Sequence, residues 1–253
     1  MKKGFSTLIA TLLALTGIAQ DSTYNFPVAN YNPIKKESSD NNRQNLFFEV
    51  RGAYSQTVKK DHLNKVAKLD DIISGYPTNW LTDYVSAEIQ TKCNGKIKSA
   101  KGPNQILTAE QKNILRNTDL NSALEIKVKY RTKNSATAEM AIREMVFGVT
   151  VVPDIEAEYN GGQKEMNKYL NEKVINKISK NSNIETFQGK VSFSVNESGE
   201  TIDAKITTTS GDSEIDKLLI DTINNMPKWK PAQNSNGKKV RQDFEFRVGV
   251  SGC

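Results

Sequence analysis

The most regular pattern of hydrophobic and polar positions lies at the end of the chain. Charged residues stand at odd positions there, from Arg241 to Arg247, and the even positions between and beyond them carry other residues. The members of the even set are Val240, Gln242, Phe244, Phe246, Val248 and Val250. This alternation is typical of a strand with one face on the core and the other in solvent. Because almost nothing follows, the strand is expected to lie at the margin of its sheet.

The hundred residues before this ending predict a small α+β module. VSFSV and ETIDAKI both alternate and flank Asn-Glu-Ser-Gly, so they predict a β-hairpin in which Gly199 takes the turn's unusual backbone angles. Two helices are expected on one face of the sheet, one before the hairpin and one after it. Their apolar stripes are Met166, Tyr169, Leu170, Val174 and Ile178, and then Ile215, Leu218, Leu219, Thr222, Ile223 and Met226.

The start of the second helix is predicted from capping signals. Ser213 is expected to be the N-cap, with Asp216 three residues later in a capping-box relation. Pro227 is expected to stop the helix.

The first half of the chain repeats this order of elements. The stretch from Phe47 through Tyr54 to Pro77 is expected to begin extended and then to form an amphipathic helix. A hairpin around Gly95 and a helix capped by Thr108 and Gln111 follow. We interpret this as a diverged internal duplication, the alternative being one continuous α+β domain. The predicted fold is α+β, with two tandem modules, each an antiparallel sheet of about three strands with two helices on one face.

The N-terminus predicts export. Lys2 and Lys3 precede an apolar stretch of roughly 15 residues, shorter than the roughly 20 that span a membrane, and small residues precede Gln20. A signal peptide over residues 1–19, cleaved before Gln20, is therefore expected, and a retained membrane anchor is the alternative. Residues 20–45 have the composition of a disordered linker. The expected modules are residues 46–152 and 153–253.

Composition offers little support for catalysis or nucleic-acid binding. The chain has 253 residues and a net charge of +6, but no basic stripe with interleaved aromatic residues. Its one histidine, His62, lies in a lysine-rich segment without a recognisable nucleophile motif nearby. Cys93 and Cys253 are the two cysteines, and they either form a disulfide in an oxidising compartment or remain separate thiols. No catalytic residue, metal site or cofactor is predicted.

The margin of the last strand has two interpretations. An unpaired strand edge exposes backbone N–H and C=O groups, and the charges of residues 241–247 blunt such an edge in part. Alternatively, the edge accepts an extended segment of a partner by strand addition.

Several motifs in fixed order resemble a known family. A hairpin leads to Ser210–Gly211, then to a helix with Ile215–Asp216, to the turn Trp229–Lys230–Pro231–Ala232, and through Asn236–Gly237 to the closing strand. Residues 153–250 thereby resemble the C-terminal domain of TonB-type energy transducers, in the form found in Bacteroidota-like bacteria. Residues 46–152 resemble it only faintly and lack the Trp-x-Pro-Ala turn.

The resemblance implies a non-enzymatic function in the cell envelope. TonB-like transducers hold an extended segment of an outer-membrane transporter against the closing strand and transmit force from a proton-driven motor. This implies partner binding by Val240, Gln242, Phe244, Phe246, Val248 and Val250. Ser210, Gly211, Asp216, Trp229, Pro231, Ala232 and Gly237 would be structural.

The N-terminal prediction departs from the family pattern. A transducer needs a permanent anchor and a long proline-rich spacer, whereas a cleaved signal and a short linker are predicted here. The expected function is therefore that of a secreted periplasmic or envelope protein that contacts outer-membrane transporters or other envelope proteins. An anchored transducer and a structural module closed as a homodimer through the last strand are the alternatives.

Overall fold

The computed structural model describes residues 46–54, 56–93, 96–133, 139–181 and 187–250. The predicted signal peptide and linker lie outside these ranges, as do Gly95 and Cys253. Whether Cys93 and Cys253 form a disulfide or remain separate thiols therefore also lies outside the described residues. All described residues fall within one compact unit of the chain. Among the helices of this described part, none has the length and apolarity needed to cross a membrane.

The described chain has a mixed α+β fold, as predicted. The strands are β1 (Leu46–Arg51), β2 (Gln56–Lys59), β3 (Tyr84–Cys93), β4 (Lys96–Gly102), β5 (Ala123–Lys133), β6 (Met140–Val152), β7 (Glu158–Tyr159), β8 (Gln188–Val195), β9 (Thr201–Thr208), β10 (Trp229–Lys230), β11 (Ala232–Gln233), β12 (Lys239–Val240) and β13 (Gln242–Val250). The helices are α1 (Ala109–Arg116), α2 (Gly162–Leu170), α3 (Asn176–Asn181) and α4 (Ser213–Asn224). A π-helical segment, Asn171–Ile175, joins α2 to α3.

The first half forms a five-stranded sheet in the order β2-β6-β5-β3-β4. Its strands pair antiparallel except for β2, which runs parallel to β6. The prediction of about three strands and two helices is wrong for this half, because the described residues contain these five strands and α1. The capped helix was predicted correctly: Thr108 Oγ1 accepts from Gln111 N, and Thr108 N donates to Gln111 Oε1 at 2.9 Å.

The amphipathic helix expected after Tyr54 is absent from the described residues. The chain there forms β2 and two 3-10 turns, His62–Asn64 and Leu69–Asp71. The Asp71 carboxylate accepts hydrogen bonds from the N–H groups of Ala67 and Lys68, which competes with helical bonding. The apolar residues of this segment are nevertheless buried in the first core cluster. Their helix-like spacing therefore occurs in a segment of turns and not in a helix.

The second half forms a four-stranded antiparallel sheet in the order β1-β13-β8-β9. Helices α2, α3 and α4 cover one face, as expected, and their predicted stripes contribute to one core cluster. Tyr169 Oη donates to the backbone oxygen of Thr222 at 2.9 Å and thereby ties α2 to α4. One strand of this sheet, β1, comes from the part of the sequence assigned to the first module.

The N-cap of α4 lies one residue earlier than predicted. Asp212, not Ser213, is the N-cap, and its carboxylate accepts from Glu214 N at 2.8 Å. Asp216 does not complete a capping box. Its carboxylate instead accepts from Ser210 N at 2.8 Å and from Thr209 Oγ1 at 2.6 Å. The carboxylate therefore fixes the turn between β9 and α4, in which Gly211 has φ of +86°.

Replacing Asp216 with asparagine should lower the free energy of unfolding by about 1.5 kcal/mol near neutral pH, because hydrogen bonds to a charged group are lost. Burial raises the pKa of Asp216, but the bonds from Ser210 and Thr209 outweigh burial and lower it. A lowered folded pKa stabilises the protein above the unfolded pKa, and this contribution disappears as the pH falls through the folded pKa. The difference between the two proteins in urea denaturation should therefore shrink below about pH 4.

Asp221→Asn is the matched control, because Asp221 is exposed on the same helix. A pH-independent difference between Asp216→Asn and the unmodified protein would contradict the assigned role of the carboxylate.

Candidate functional site

Strand β13 alternates between core and surface as its sequence predicts. Phe244, Phe246 and Val248 are buried in the second core, whereas Asp243 is exposed. Two predicted partner-binding residues are engaged inside the protein. Gln242 is buried and accepts from Ala157 N through Oε1 at 2.7 Å. Val240 belongs to β12, where it pairs with Ala232.

The edge of β13 is not free. Strand β1 pairs with β13 antiparallel on one side, and β8 pairs with it on the other. The expectation that the last strand lies at the sheet margin is therefore wrong. The pairing of β1 with β13 is not evident from the residues near β13, because β1 precedes β13 by almost the whole length of the described chain.

Backbone groups of β13 alternate between its two neighbours. Val250 N donates to Phe187 O on the β8 side, whereas Asp243 N donates to the Asn121 side chain on the other side. Since N–H groups alternate along a strand, residues 245, 247 and 249 direct theirs to β1. These three residues face Arg51, Glu49 and Phe47 in the register.

Asn121 covers the part of the β13 edge that β1 does not reach. Its Oδ1 accepts from Asp243 N at 3.0 Å, and its Nδ2 donates to Arg241 O at 3.3 Å. Asn121 has φ of +64°, a left-handed conformation that asparagine tolerates better than most residues. The part of the β13 edge that pairs with β1 is thus Glu245–Val250.

One face of β1 contributes to the core. Leu46, Phe48 and Val50 pack against the second cluster, opposite Val250, Val248 and Phe246. All six residues of β1 are half-buried. Fully burying a large apolar side chain stabilises by about 1.5–3 kcal/mol, and each of these three partly buried side chains contributes less than a fully buried one. Strand β1 lies at the edge of the sheet and is paired on one side only, whereas β13 and β8 are each paired on both sides.

The other face of β1 completes a network of charges. Glu49 lies opposite Arg247, and Arg51 lies opposite Glu245, so each cross-strand pair joins opposite charges. Arg51 Nε lies 2.6 Å from Glu49 Oε1, and Arg247 Nε lies 3.9 Å from the same oxygen. These side chains are 16–26% exposed. Residues 245 and 247, predicted to face solvent, are therefore partly covered by β1.

A second charged group lies beyond the end of β1. Arg241 Nη1 lies 2.8 Å from Asp203 Oδ2, and Arg241 Nε lies 3.1 Å from Asp243 Oδ1. Burial lowers the pKa of Arg241, but these two carboxylates outweigh burial and raise it. Arg241 therefore stays charged and holds the start of β13 against β9.

Trp229 braces β13 from within the core. It is buried and contacts the rings of Tyr159, Phe193 and Phe244, with centroid separations of 5.3–6.2 Å. Its Nε1 has no hydrogen-bond partner among the described residues, so the ring acts through packing. Trp229 N donates to Gly199 O at 2.7 Å, which places the hairpin turn against the Trp-x-Pro-Ala segment.

The remaining structural candidates surround that segment. Pro231 separates β10 from β11, and Ala232 is buried. Gly237, with φ of +73°, closes the turn between β11 and β12. Trp229, Pro231, Ala232 and Gly237 thus belong to the segment from β10 to β12 that precedes β13, whereas Ser210, Gly211 and Asp216 lie apart at the start of α4.

No catalytic arrangement emerges from the described residues. His62 is exposed, and its Nε2 lies 2.9 Å from the backbone oxygen of Asp71. Within the described ranges, no group of three or more His, Cys, Asp or Glu side chains is placed to hold a metal ion.

The residues that sequence reasoning missed are those of β1 and Asn121. A signal for β1 was present: LFFEVR alternates, and its Glu and Arg complement Arg247 and Glu245 in antiparallel register. Nothing comparable in the sequence indicates the contact of Asn121.

Comparison with known proteins identifies a family domain within the second half. Residues 187–248 match the family described as Gram-negative bacterial TonB protein C-terminal. The chain therefore carries a TonB C-terminal domain at residues 187–248, within the range 153–250 that its motifs predicted, and this domain includes β8, β9, α4 and most of β13. This family comprises non-enzymatic energy transducers of the cell envelope. No curated protein and no solved structure matches the chain. Strand β1 lies outside the matched residues.

Proposed function

We propose that this protein is an envelope protein that uses its TonB C-terminal domain to bind an extended segment of an outer-membrane TonB-dependent transporter. The bound segment adds to β13 as a strand along residues 245–250. The observation that supports this proposal is the pairing of β1 with β13, since an extended antiparallel segment of the same chain already lies along this edge. Side chains of β13 from Phe244 to Val250 shape the acceptor, and Trp229 supports them from below.

The aromatic cluster beneath β13 supports this function. A peptide held only by backbone hydrogen bonds and a few side chains needs a rigid acceptor strand, because ordering both partners would cost affinity. Phe244 and Trp229 pack with their ring centroids 5.3 Å apart, and Phe246 is fully buried. The acceptor strand is therefore ordered before any partner arrives.

We propose an exported, periplasmic location, with the signal peptide removed before Gln20. The charged start, the short apolar stretch and the small residues before Gln20 support this location. An anchored transducer would use the same acceptor edge, so the binding site does not depend on which of the two forms is correct. The tandem-module layout, with a diverged first copy in residues 46–152, remains part of this proposal.

Photo-crosslinking in cells tests the proposed function. Placing p-benzoylphenylalanine at Glu245 should yield a cross-link to an outer-membrane transporter, because Glu245 borders the acceptor edge. Mass spectrometry of the cross-linked peptide should identify an extended segment of that transporter.

Lys205 provides the control position, since it is exposed on β9, away from the β1 side of β13. A transporter cross-link of equal yield from Lys205 would contradict edge binding. Cross-links from Glu245 that reach only residues 46–51 of the same chain would also contradict it.

A further inference from the structure

Strand β1 has the properties of a ligand of the TonB C-terminal domain. It lies outside residues 187–248, its six residues are all half-buried, and it occupies the edge that the proposed function requires. We propose that β1 is an intramolecular stand-in for the partner segment, and that the partner segment must displace β1 in order to bind. The sequence of β1 then shows which segments the site accepts. This inference rests on the proposed function.

The chain after β1 is anchored independently of it. Tyr54 N donates to Thr150 Oγ1 at 2.7 Å, and Thr150 Oγ1 donates to Tyr54 O at 3.2 Å. The Tyr54 ring lies against Gly148, where a Cβ would collide with it. Strand β1 can therefore leave β13 by rotation about Gly52 and Ala53, with loss of the bond that Arg247 Nη2 donates to Ala53 O at 3.2 Å, while Tyr54 keeps its contacts with the five-stranded sheet.

The register of β1 defines the chemistry of the partner segment. It runs antiparallel to β13 and places apolar side chains opposite Val250, Val248 and Phe246. On the outer face it places an acidic residue opposite Arg247 and a basic residue opposite Glu245. Like charges directly opposite each other destabilise a strand pair, so a segment with these two charges exchanged should bind less well.

The tether makes β1 a strong competitor. A segment attached through a short flexible linker acts at an effective concentration in the millimolar range, so free peptide at micromolar concentration displaces it poorly. The apparent affinity for a partner falls in proportion to the fraction of molecules with an open edge. Weakening β1 should consequently strengthen partner binding.

A labelled peptide with the sequence NLFFEVRG, residues 45–52, is the probe, and the full chain is the protein. Phe48→Cys and Val248→Cys, in a Cys93→Ser, Cys253→Ser background, would join β1 to β13. Residues 48 and 248 form a non-hydrogen-bonded pair, whose Cα atoms lie about 4.5 Å apart in antiparallel sheets, within the range for a disulfide. The reduced form of the same protein is the matched control.

Fluorescence anisotropy should show peptide binding to the reduced protein and at least a hundred-fold weaker binding to the oxidised protein. Glu49→Pro removes a backbone donor directed at β13 and should tighten binding about ten-fold relative to the unmodified chain. Glu49→Gln keeps that donor and should change affinity about two-fold at most.

The charge-exchanged peptide NLFFRVEG tests the register. It should bind Glu49→Pro about five-fold more weakly than NLFFEVRG, and adding Glu245→Arg with Arg247→Glu should reverse this preference. An unchanged preference would overturn the assigned register.

The outcomes separate this inference from the proposed function. Equal peptide binding by the oxidised and the reduced protein would overturn the proposal that a bound segment displaces β1, but it would leave the proposed transporter binding intact. Absence of peptide binding by every variant, including Glu49→Pro, would overturn the stand-in role of β1, whereas transporter binding is decided separately by the photo-cross-link from Glu245. Sedimentation of Glu49→Pro tests whether a second copy occupies the edge. Dimers that dissociate when peptide is added would support an open edge, whereas dimers that exclude the peptide would assign the edge to a second copy.

Discussion

Replacing Phe246 with alanine should lower the free energy of unfolding by about 4 kcal/mol, which is a large part of the stability of a domain this size. Phe246 is fully buried at the centre of β13, between Val50 and Val191 in the sheet. The substitution removes a large apolar side chain and leaves a cavity that the flanking strands cannot close. Urea denaturation followed by tryptophan fluorescence should show the loss, since Trp229 lies in the same core.

Phe48→Ala is the matched control, because it is the same substitution on the neighbouring strand. Phe48 is partly buried and lies on the outermost strand of the sheet, so its loss should cost less than that of Phe246, roughly 2 kcal/mol. Equal losses at the two positions would show that β1 is as integral to the core as β13, which would contradict its displaceable character.

Replacing Gly199 with alanine should lower the free energy of unfolding by about 3–4 kcal/mol, near the upper end for single substitutions. Gly199 has φ of +82°, which a residue with a Cβ adopts at a cost of roughly 1–2 kcal/mol. A Cβ there would also collide with the backbone oxygen of Trp229. Either the hairpin turn or the Trp229 segment must move, and the hydrogen bond from Trp229 N to Gly199 O would be broken.

Gly211→Ala separates these two causes. Gly211 has a similar φ of +86°, but no atom lies within 4 Å of where its Cβ would be. It should therefore show only the conformational cost of roughly 1–2 kcal/mol. Thermal unfolding of both variants measures the difference, and similar losses would mean that the contact with Trp229 is unimportant.

The predictions for Phe246 and Gly199 concern one structural unit of contacting residues. Gly199 positions Trp229, Trp229 packs on Phe244, and Phe244 and Phe246 form the buried face of β13. Loss of this unit should weaken partner binding indirectly, through a disordered acceptor strand. The disulfide between residues 48 and 248 instead blocks the edge without removing its support, so the two kinds of variant distinguish folding from access.

Local sequence patterns correctly predicted those helices and strands whose formation depends on neighbouring residues in the sequence. The alternation of β13, the hairpin of β8 and β9, the cap of α1 and the apolar stripe of α4 depend on residues close in sequence. The segment after Tyr54 shows the limit of this approach. Its apolar residues have helical spacing, but the hydrogen bonds that the Asp71 carboxylate accepts and the backbone bond from Leu107 N to Ala67 O favour turns. The family motifs could also be recognised in the sequence, because each motif combines turn residues and core residues that lie close together along the chain.

The sequence by itself therefore determined that β13 is a strand with an apolar face, that it belongs to a TonB C-terminal domain, and that Trp229 precedes it in a turn. Only the tertiary structure decided which segment pairs with its edge. Strand pairing depends on backbone groups that every residue possesses, so a strand's neighbour is selected by the folded arrangement of distant segments. Here that arrangement brings Leu46–Arg51 and Asn121 to β13, and it replaces an open margin with an edge that is already filled.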